Sequence, residues 1–205
     1  MISVWNELRV ARTERPHPEL EYHPAFYGEE QGRQLLQSLC TQVTWQTDHF
    51  MAFGRRIEIP RLQAWYADPG IRYSYSNNLL QTLAWLPELT ALREQIELAC
   101  GHRFNSVLLT YYRDGRDSVS WHTDDEQELG SEPWIASLSL GASRVMQYRN
   151  KHQSETGALS LHHGDLLLMR PGFQQHWLHQ VAAQPEVDEP RINLTYRLVA
   201  MDDSG

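Results

Sequence analysis

Hydrophobic positions along this chain follow two patterns, and the change falls near residue 103. Before it, apolar residues recur three and four apart. The stretch "GEEQGRQLLQSLCTQ", residues 28–42, carries its acids early and then Leu35, Leu36 and Leu39, which predicts an amphipathic helix. A second helix is predicted from Pro87, which suits a first-turn position, through Leu89, Leu92, Ile96 and Leu98 to a stop at Gly101. After residue 103 the chain breaks into short runs: "FNSVLLTYYR", "WIASLSLG", "SRVMQYR", "GALSLH", "GDLLLMR", "QHWLHQV" and "RINLTYRLVA". They are rich in Val, Leu, Ile, Tyr and Trp, and Gly, Asp, Asn and Pro separate them. Many short strands at this spacing predict a mainly β, α+β protein, a sandwich or barrel with helices packed against one side.

The last of these runs poses a question. In "PRINLTYR", residues 190–197, a strand puts Arg191, Asn193, Thr195 and Arg197 on one face and Ile192, Leu194 and Tyr196 on the other. The apolar side reads as core. The polar side is either an exposed face or the wall of a cavity that holds an anion.

Composition narrows the class without answering this. The 205 residues suit one domain with a substantial core, and 41% hydrophobic with 21% charged residues is ordinary for a globular protein. Three parts are expected: an irregular lead-in over 1–24, with Pro16, Pro18 and Pro24; helices and a recognition segment over 25–102; and the β core over 103–201. Cys40 and Cys100 form no CxxC, so neither a disulfide framework nor a thiolate zinc site is implied, and both are taken as structural. The opening "MISVWNELRV" lacks a basic flank followed by an apolar run, and no stretch approaches membrane-spanning length, so a cytoplasmic protein with no membrane partner is expected. The formal charge of −8 argues against nonspecific nucleic-acid binding. Charge is unevenly placed, however: "FGRRIEIPR" and "YYRDGR" concentrate arginine, and "DDEQELGSE" and "PEVDEP" hold much of the acid.

The chemistry centres on "WHTDDE", residues 121–126. His122 and Asp124 are two apart, so in extended chain they project to one face and can grip one ion. With one further histidine they make a two-His, one-carboxylate site, which leaves three coordination positions open, as oxygen-activating non-haem Fe(II) enzymes require. The candidates are His162, His163, His176 and His179, and in a regular strand only one of His176 and His179 faces inward. If such a metal lies beside the two arginines of "PRINLTYR", a dicarboxylate can bind both, because the planar guanidinium fork pairs with carboxylates through two charge-assisted bonds. Two buried arginines without an anion would be strongly destabilising.

"YYRDG", "WHTDDE", "ASLSLGASR", "HHGDLLLM", "HWLH" and "PRINLTYR" occur in the order and context of the AlkB family of Fe(II)- and 2-oxoglutarate-dependent dioxygenases, which the chain resembles from about residue 45 to its end. The resemblance implies a double-stranded β-helix (jelly-roll) core, the cofactors Fe(II), 2-oxoglutarate and O2, and oxidation of alkyl groups on nucleobases. By resemblance His122, Asp124 and His179 hold the metal. Arg191, Asn193 and Arg197, with Tyr112 on a neighbouring strand, hold 2-oxoglutarate, Arg191 at its distal carboxylate and Arg197 nearer the keto-acid end. Thr110 stands where many relatives carry an asparagine that touches the co-substrate, and a threonine hydroxyl can still donate there.

The same resemblance extends to the substrate. "GIRYSYSNN" looks like the family's aromatic base pocket, with Tyr73 and Tyr75 on one side of an extended chain to stack on an extruded base. Glu126 matches an acidic residue at the base edge, suited to cationic lesions such as 1-methyladenine or 3-methylcytosine. Phe53-Gly54 resembles the finger of the duplex-acting branch, on a nucleotide-recognition hairpin where Phe53 fills the gap left by the flipped base. Arg55, Arg56 and Arg61 are expected to hold phosphates there, a local basic patch that meets the objection from net charge. The reading that follows is direct-reversal repair of alkylated DNA by a monomer, releasing formaldehyde and succinate. The alternatives are the same iron chemistry on RNA, a protein side chain or a small molecule, and a noncatalytic jelly-roll binding module.

Overall fold

The alternation read at residues 191–197 governs the whole architecture: one face of a large sheet is apolar and covered by helices, and the other faces a chamber. The computed structural model describes residues 14–200 apart from 53, 72, 73, 76, 77 and 80. The chain runs β1 (Glu14–His17), β2 (Leu20–His23), α1 (Glu29–Gln42), β3 (Gln46–Ala52), β4 (Arg55–Ala67), β5 (Ser74–Tyr75), β6 (Asn78–Leu79), β7 (Thr82–Leu83) and α2 (Pro87–Cys100). It continues with β8 (Ser106–Tyr112), β9 (Val119–His122), a 3-10 turn (Gln127–Leu129), β10 (Ile135–Gly141), β11 (Arg144–Asn150), β12 (Thr156–Leu161), β13 (Leu166–Met169), the one-turn α3 (Phe173–His176), β14 (Trp177–Val181) and β15 (Arg191–Arg197). The large sheet has the order β1-β2-β13-β10-β15-β8-β4-β3, with β7 on β4, and the small sheet has β12-β11-β14-β9. All pairings within these two sheets are antiparallel except β4 with β7. This is the expected jelly roll.

Both helices form where periodicity placed them. Glu29 and Glu30 sit in the first turn of α1, where carboxylates complement the helix dipole. Pro87 opens α2, and Gly101 closes it at φ 75°, its N–H returning to the Glu97 carbonyl, a conformation that costs glycine little. Leu35 and Leu39 of α1, with Leu89, Leu92 and Ile96 of α2, bury against Ala136, Leu138, Leu140, Ile192, Leu194 and Tyr196 on the outer face of the large sheet. Leu98 departs from the expected stripe. It is 64% exposed, because two positions beyond Ile96 carry it round to the far side of the helix.

Two expected boundaries are corrected. Within 1–24, β2 joins the large sheet through β13 and buries Leu20 and Tyr22, so the prolines do not make the described part of this segment irregular. Pro16 is tolerated because it lies on β1, the outermost strand, where one side of the backbone needs no ladder partner. Nor does the β core begin at 103: β4 pairs with β8 from Leu62↔Tyr111 to Ala67↔Ser106, which makes the 46–67 hairpin part of the same sheet.

Candidate metal and co-substrate site

His122 and His179 meet because β9 and β14 are neighbours and the two histidines are direct register partners. The next pair is Val181↔Val119, two residues along β14 against three along β9. The extra residue is a bulge, and it leaves both Val119 and His122 facing the chamber, where a regular strand would send residues three apart to opposite sides. The bulge also orients the ring. His122 Nδ1–H donates to the Ser120 carbonyl at 2.8 Å, which presents Nε2 to the interior. Asp124 follows in the adjoining loop, 1% exposed, with Oδ2 3.9 Å from His179 Nε2. The ligand atoms of His122, Asp124 and His179 all lie within 4.8 Å of one another.

Their electrostatics suit a cation. Burial alone would raise the Asp124 carboxyl, but Arg197 and the two imidazoles outweigh it and hold it at about 2. Arg197 Nη2 donates to Asp124 Oδ1 at 2.8 Å. Burial, reinforced by His122, lowers His179 to about 3, so its imidazole is neutral and can ligate. The other candidate histidines are occupied elsewhere. His163 Nδ1 accepts from the Gly141 N–H, His162 Nδ1 is bonded to Ser143 Oγ, and His176 ends α3 beside Glu19.

Gln174, 1% exposed on α3, secures the Asp124 loop. Its Oε1 accepts from the Asp124 N–H at 3.0 Å and its carbonyl accepts from Thr123 Oγ1 at 2.6 Å. Lys151 Nζ donates to the same carbonyl and pairs with Asp125.

Beside the chamber, behind its lining residue Tyr112, lies Arg191, fully buried. Its Nη2 donates to Ser139 Oγ at 2.9 Å, its guanidinium carbon is 5.1 Å from the Tyr112 ring centre, and Nε and Nη1 have no hydrogen-bond partner among the described residues. Burial pushes this guanidinium below its ordinary value, and Tyr112 opposes the shift. Arg144 lies 5.3 Å from the same ring. It is 1% exposed and donates to the carbonyls of Asp114, Asp117 and Ala182, tying together the loops after β8 and β14. Those loops touch so closely that a Cβ on Gly115 would lie 1.7 Å from the Gln184 carbonyl oxygen. Thr110, Asn193, Thr195 and Arg197 line the chamber, and Asn193 Nδ2 is already engaged by Ser137 Oγ and the Leu138 carbonyl.

The donor set therefore fits a divalent iron, and the un-neutralised Arg191 beside the same chamber fits the carboxylate of an acid co-substrate.

The expected substrate residues scatter. Arg61 is corrected: it is 7% exposed, lines the chamber and donates to the Ser118 carbonyl, because it lies where β4 enters its pairing with β8 at Leu62, whereas Arg55 and Arg56 sit at the exposed tip of the β3–β4 hairpin. Glu126 is half-buried, directly before the 3-10 turn. Tyr73, Phe53 and the side chain of Tyr75 lie outside the described residues. Arg144, Gln174, Ser137 and Ser139 were not anticipated. The two serines alternate with Leu138 and Leu140 in "IASLSLG", the same signal that marked β15.

Residues 19–197 match the family profile described as "2OG-Fe(II) oxygenase superfamily". The curated "Alpha-ketoglutarate-dependent dioxygenase alkB homolog 3" of Mus musculus is 38% identical over 197 residues, covering 89% of this chain and 67% of the relative. "DNA oxidative demethylase ALKBH2" of Bos taurus is 36% identical over 185 residues, covering 85% and 66%. The chain thus spans about two thirds of the length of these relatives. A solved structure described as "The structure of OsALKBH1" superposes with a TM-score of 0.64 at 14% identity, over 90% of this chain and 100% of that one, a likeness of fold. Geometry and similarity converge: the chain belongs to the AlkB family of Fe(II)- and 2-oxoglutarate-dependent dioxygenases.

Proposed function

We propose that the protein removes N-alkyl groups from nucleobases in DNA, reversing lesions such as 1-methyladenine and 3-methylcytosine, and that it acts as a cytoplasmic monomer. The observation that carries the chemistry is one chamber lined by His122, Asp124 and His179, with the buried Arg191 packed behind its Tyr112 wall and holding no anion among the described residues. The relatives named as a DNA oxidative demethylase support the substrate class.

In this reading His122, Asp124 and His179 hold the iron. An Fe(II) held there would supply the chemistry that links oxidative decarboxylation of 2-oxoglutarate by O2, to succinate and CO2, with hydroxylation of the N-alkyl carbon; a hydroxymethyl group so formed would leave as formaldehyde. Arg197 keeps the Asp124 carboxylate ionised and oriented, and faces the metal end of the co-substrate. Arg191 and Tyr112 take the distal carboxylate, with Arg144 fixing Tyr112 from behind. Thr110 and Asn193 form the polar floor between them, Asn193 locked by Ser137. Glu126 offsets the positive charge of the lesion, and Arg55 and Arg56, exposed on the β3–β4 hairpin, meet the phosphates.

The test is direct. Purified protein is incubated with methylated single-stranded DNA, duplex DNA or RNA, with and without 2-oxoglutarate, and base masses and succinate are followed. Co-substrate-dependent loss of the methyl mass from DNA is expected, and His122→Ala abolishes both loss and succinate. Methyl loss that survives in His122→Ala, or DNA left unchanged while another substrate is consumed, overturns the proposal.

A further inference from the structure

One face of β4 lies on the chamber side of the sheet, and one side chain on it has no hydrogen-bond partner among the described residues. Arg61 lines the chamber, as do Thr110 and Leu108, the register partners of Gln63 and Trp65. Gln63 therefore stands on the chamber side of the sheet. It belongs to a polar row that runs Gln46, Gln63, Thr110, Asn193, Ser139 across five adjacent strands. Gln63 is 3% exposed, and neither Oε1 nor Nε2 has a hydrogen-bond partner among the described residues. A buried amide left this way has given up its hydration without replacement, which folded proteins rarely permit unless a ligand completes it. Asn193, in the same row, shows the contrast, since its amide is held by Ser137 and Leu138.

We infer that Gln63 is a specificity-determining residue that reads the edge of the base under repair and favours an adenine lesion over a cytosine lesion. The inference rests on the nucleobase reading above. The co-substrate is a poor match for this amide: its carboxylates only accept hydrogen bonds, which would leave Oε1 unmet, and Arg191 and Arg197 already offer them charged donors. A carboxamide presents an acceptor and a donor side by side. Adenine presents the complement, its N6 amine beside N7, and the two pair through two hydrogen bonds. Methylation at N1 leaves that edge intact. Cytosine offers its N4 amine beside a C–H, so Oε1 is met and Nε2 stays unpaired. A buried polar group that only one substrate satisfies is an effective discriminator.

The experiment is steady-state kinetics on short single-stranded oligonucleotides bearing one 1-methyladenine or one 3-methylcytosine, with the KM for 2-oxoglutarate measured in parallel. Wild type prefers 1-methyladenine, and Gln63→Met, similar in length but without donor or acceptor, lowers that kcat/KM ratio about ten-fold. Gln63→Glu keeps the acceptor and removes the donor, so it loses the adenine preference and retains activity on 3-methylcytosine. The KM for 2-oxoglutarate stays unchanged, and Gln63→Met melts no lower than wild type because the amide it removes has no partner among the described residues. Equal losses on both lesions, or an unchanged ratio, overturn the inference, and a raised KM for 2-oxoglutarate reassigns Gln63 to the co-substrate and overturns it too. A wild type that processes neither oligonucleotide sinks the nucleobase reading and this inference with it. Intact turnover at an unchanged ratio sinks the inference alone.

Discussion

The two faces of β15 are built from neighbouring residues of one strand, yet they do opposite things. Ile192, Leu194 and Tyr196 are fully buried against the helices, and the Tyr196 hydroxyl donates to the Leu89 carbonyl. Asn193, Thr195 and Arg197 line the chamber, and Arg191, on the same face, packs against its Tyr112 wall with two nitrogens unpartnered among the described residues. The first face is complete and stores stability. The second is left incomplete by the fold and stores binding capacity for an anion.

That contrast can be broken from either side. Arg191→Met should weaken 2-oxoglutarate binding about a hundred-fold or more, because it removes the charged partner of a buried carboxylate. The melting temperature of the ligand-free protein should not fall, since an un-neutralised buried cation is exchanged for an apolar chain of similar length. Leu194→Ala should do the reverse. It costs about 2–5 kcal/mol of stability through lost burial and a cavity, and the folded fraction should bind 2-oxoglutarate as before. Denaturant unfolding and calorimetric titration on both variants decide the matter, and a destabilised Arg191→Met would refute the division of labour.

A finer test addresses how the metal end is held. Gln174→Met keeps the volume but removes the acceptor for the Asp124 N–H, and should weaken Mn(II) binding, used as a stand-in for iron, about ten-fold. Gln175→Ala, next in sequence but exposed and bonded to the Ser131 carbonyl, should leave it unchanged. The smallest effect is expected at the hairpin. Arg55→Ala and Arg56→Ala should each reduce the salt dependence of DNA binding by about one unit of slope, with succinate formation on a free methylated nucleoside unaltered.

The apolar half of this contrast was readable along the chain because burial and alternation act on consecutive residues. Leu35, Leu39, Leu89, Leu92 and Ile96 announced the helices, and Ile192, Leu194 and Tyr196 the strand they cover. The chamber was readable only where a strand carried its own polar alternation. Arg61 as a chamber residue, and Gln63 on the same face of β4, were missed because "RRIEIPRLQ" reads as a basic surface hairpin until β4 is seen to pair with β8. Arg144 and Gln174 escaped for a related reason: each acts on backbone carbonyls or N–H groups far away in sequence, which no local pattern marks. β2 was hidden by the prolines around it, though Leu20 and Tyr22 do alternate.

The bulge in β9 means that the spacing of His122 and Asp124 is not sufficient in itself. Which way the first imidazole points is decided upstream, at Ser120 and Trp121, where the strand gains one residue over its partner. Deleting either would leave every ligand in the chain and yet shift the strand's phase, turning the histidine outward. The metal centre is thus written partly in a residue count, and a variant with an intact motif can still be an empty one.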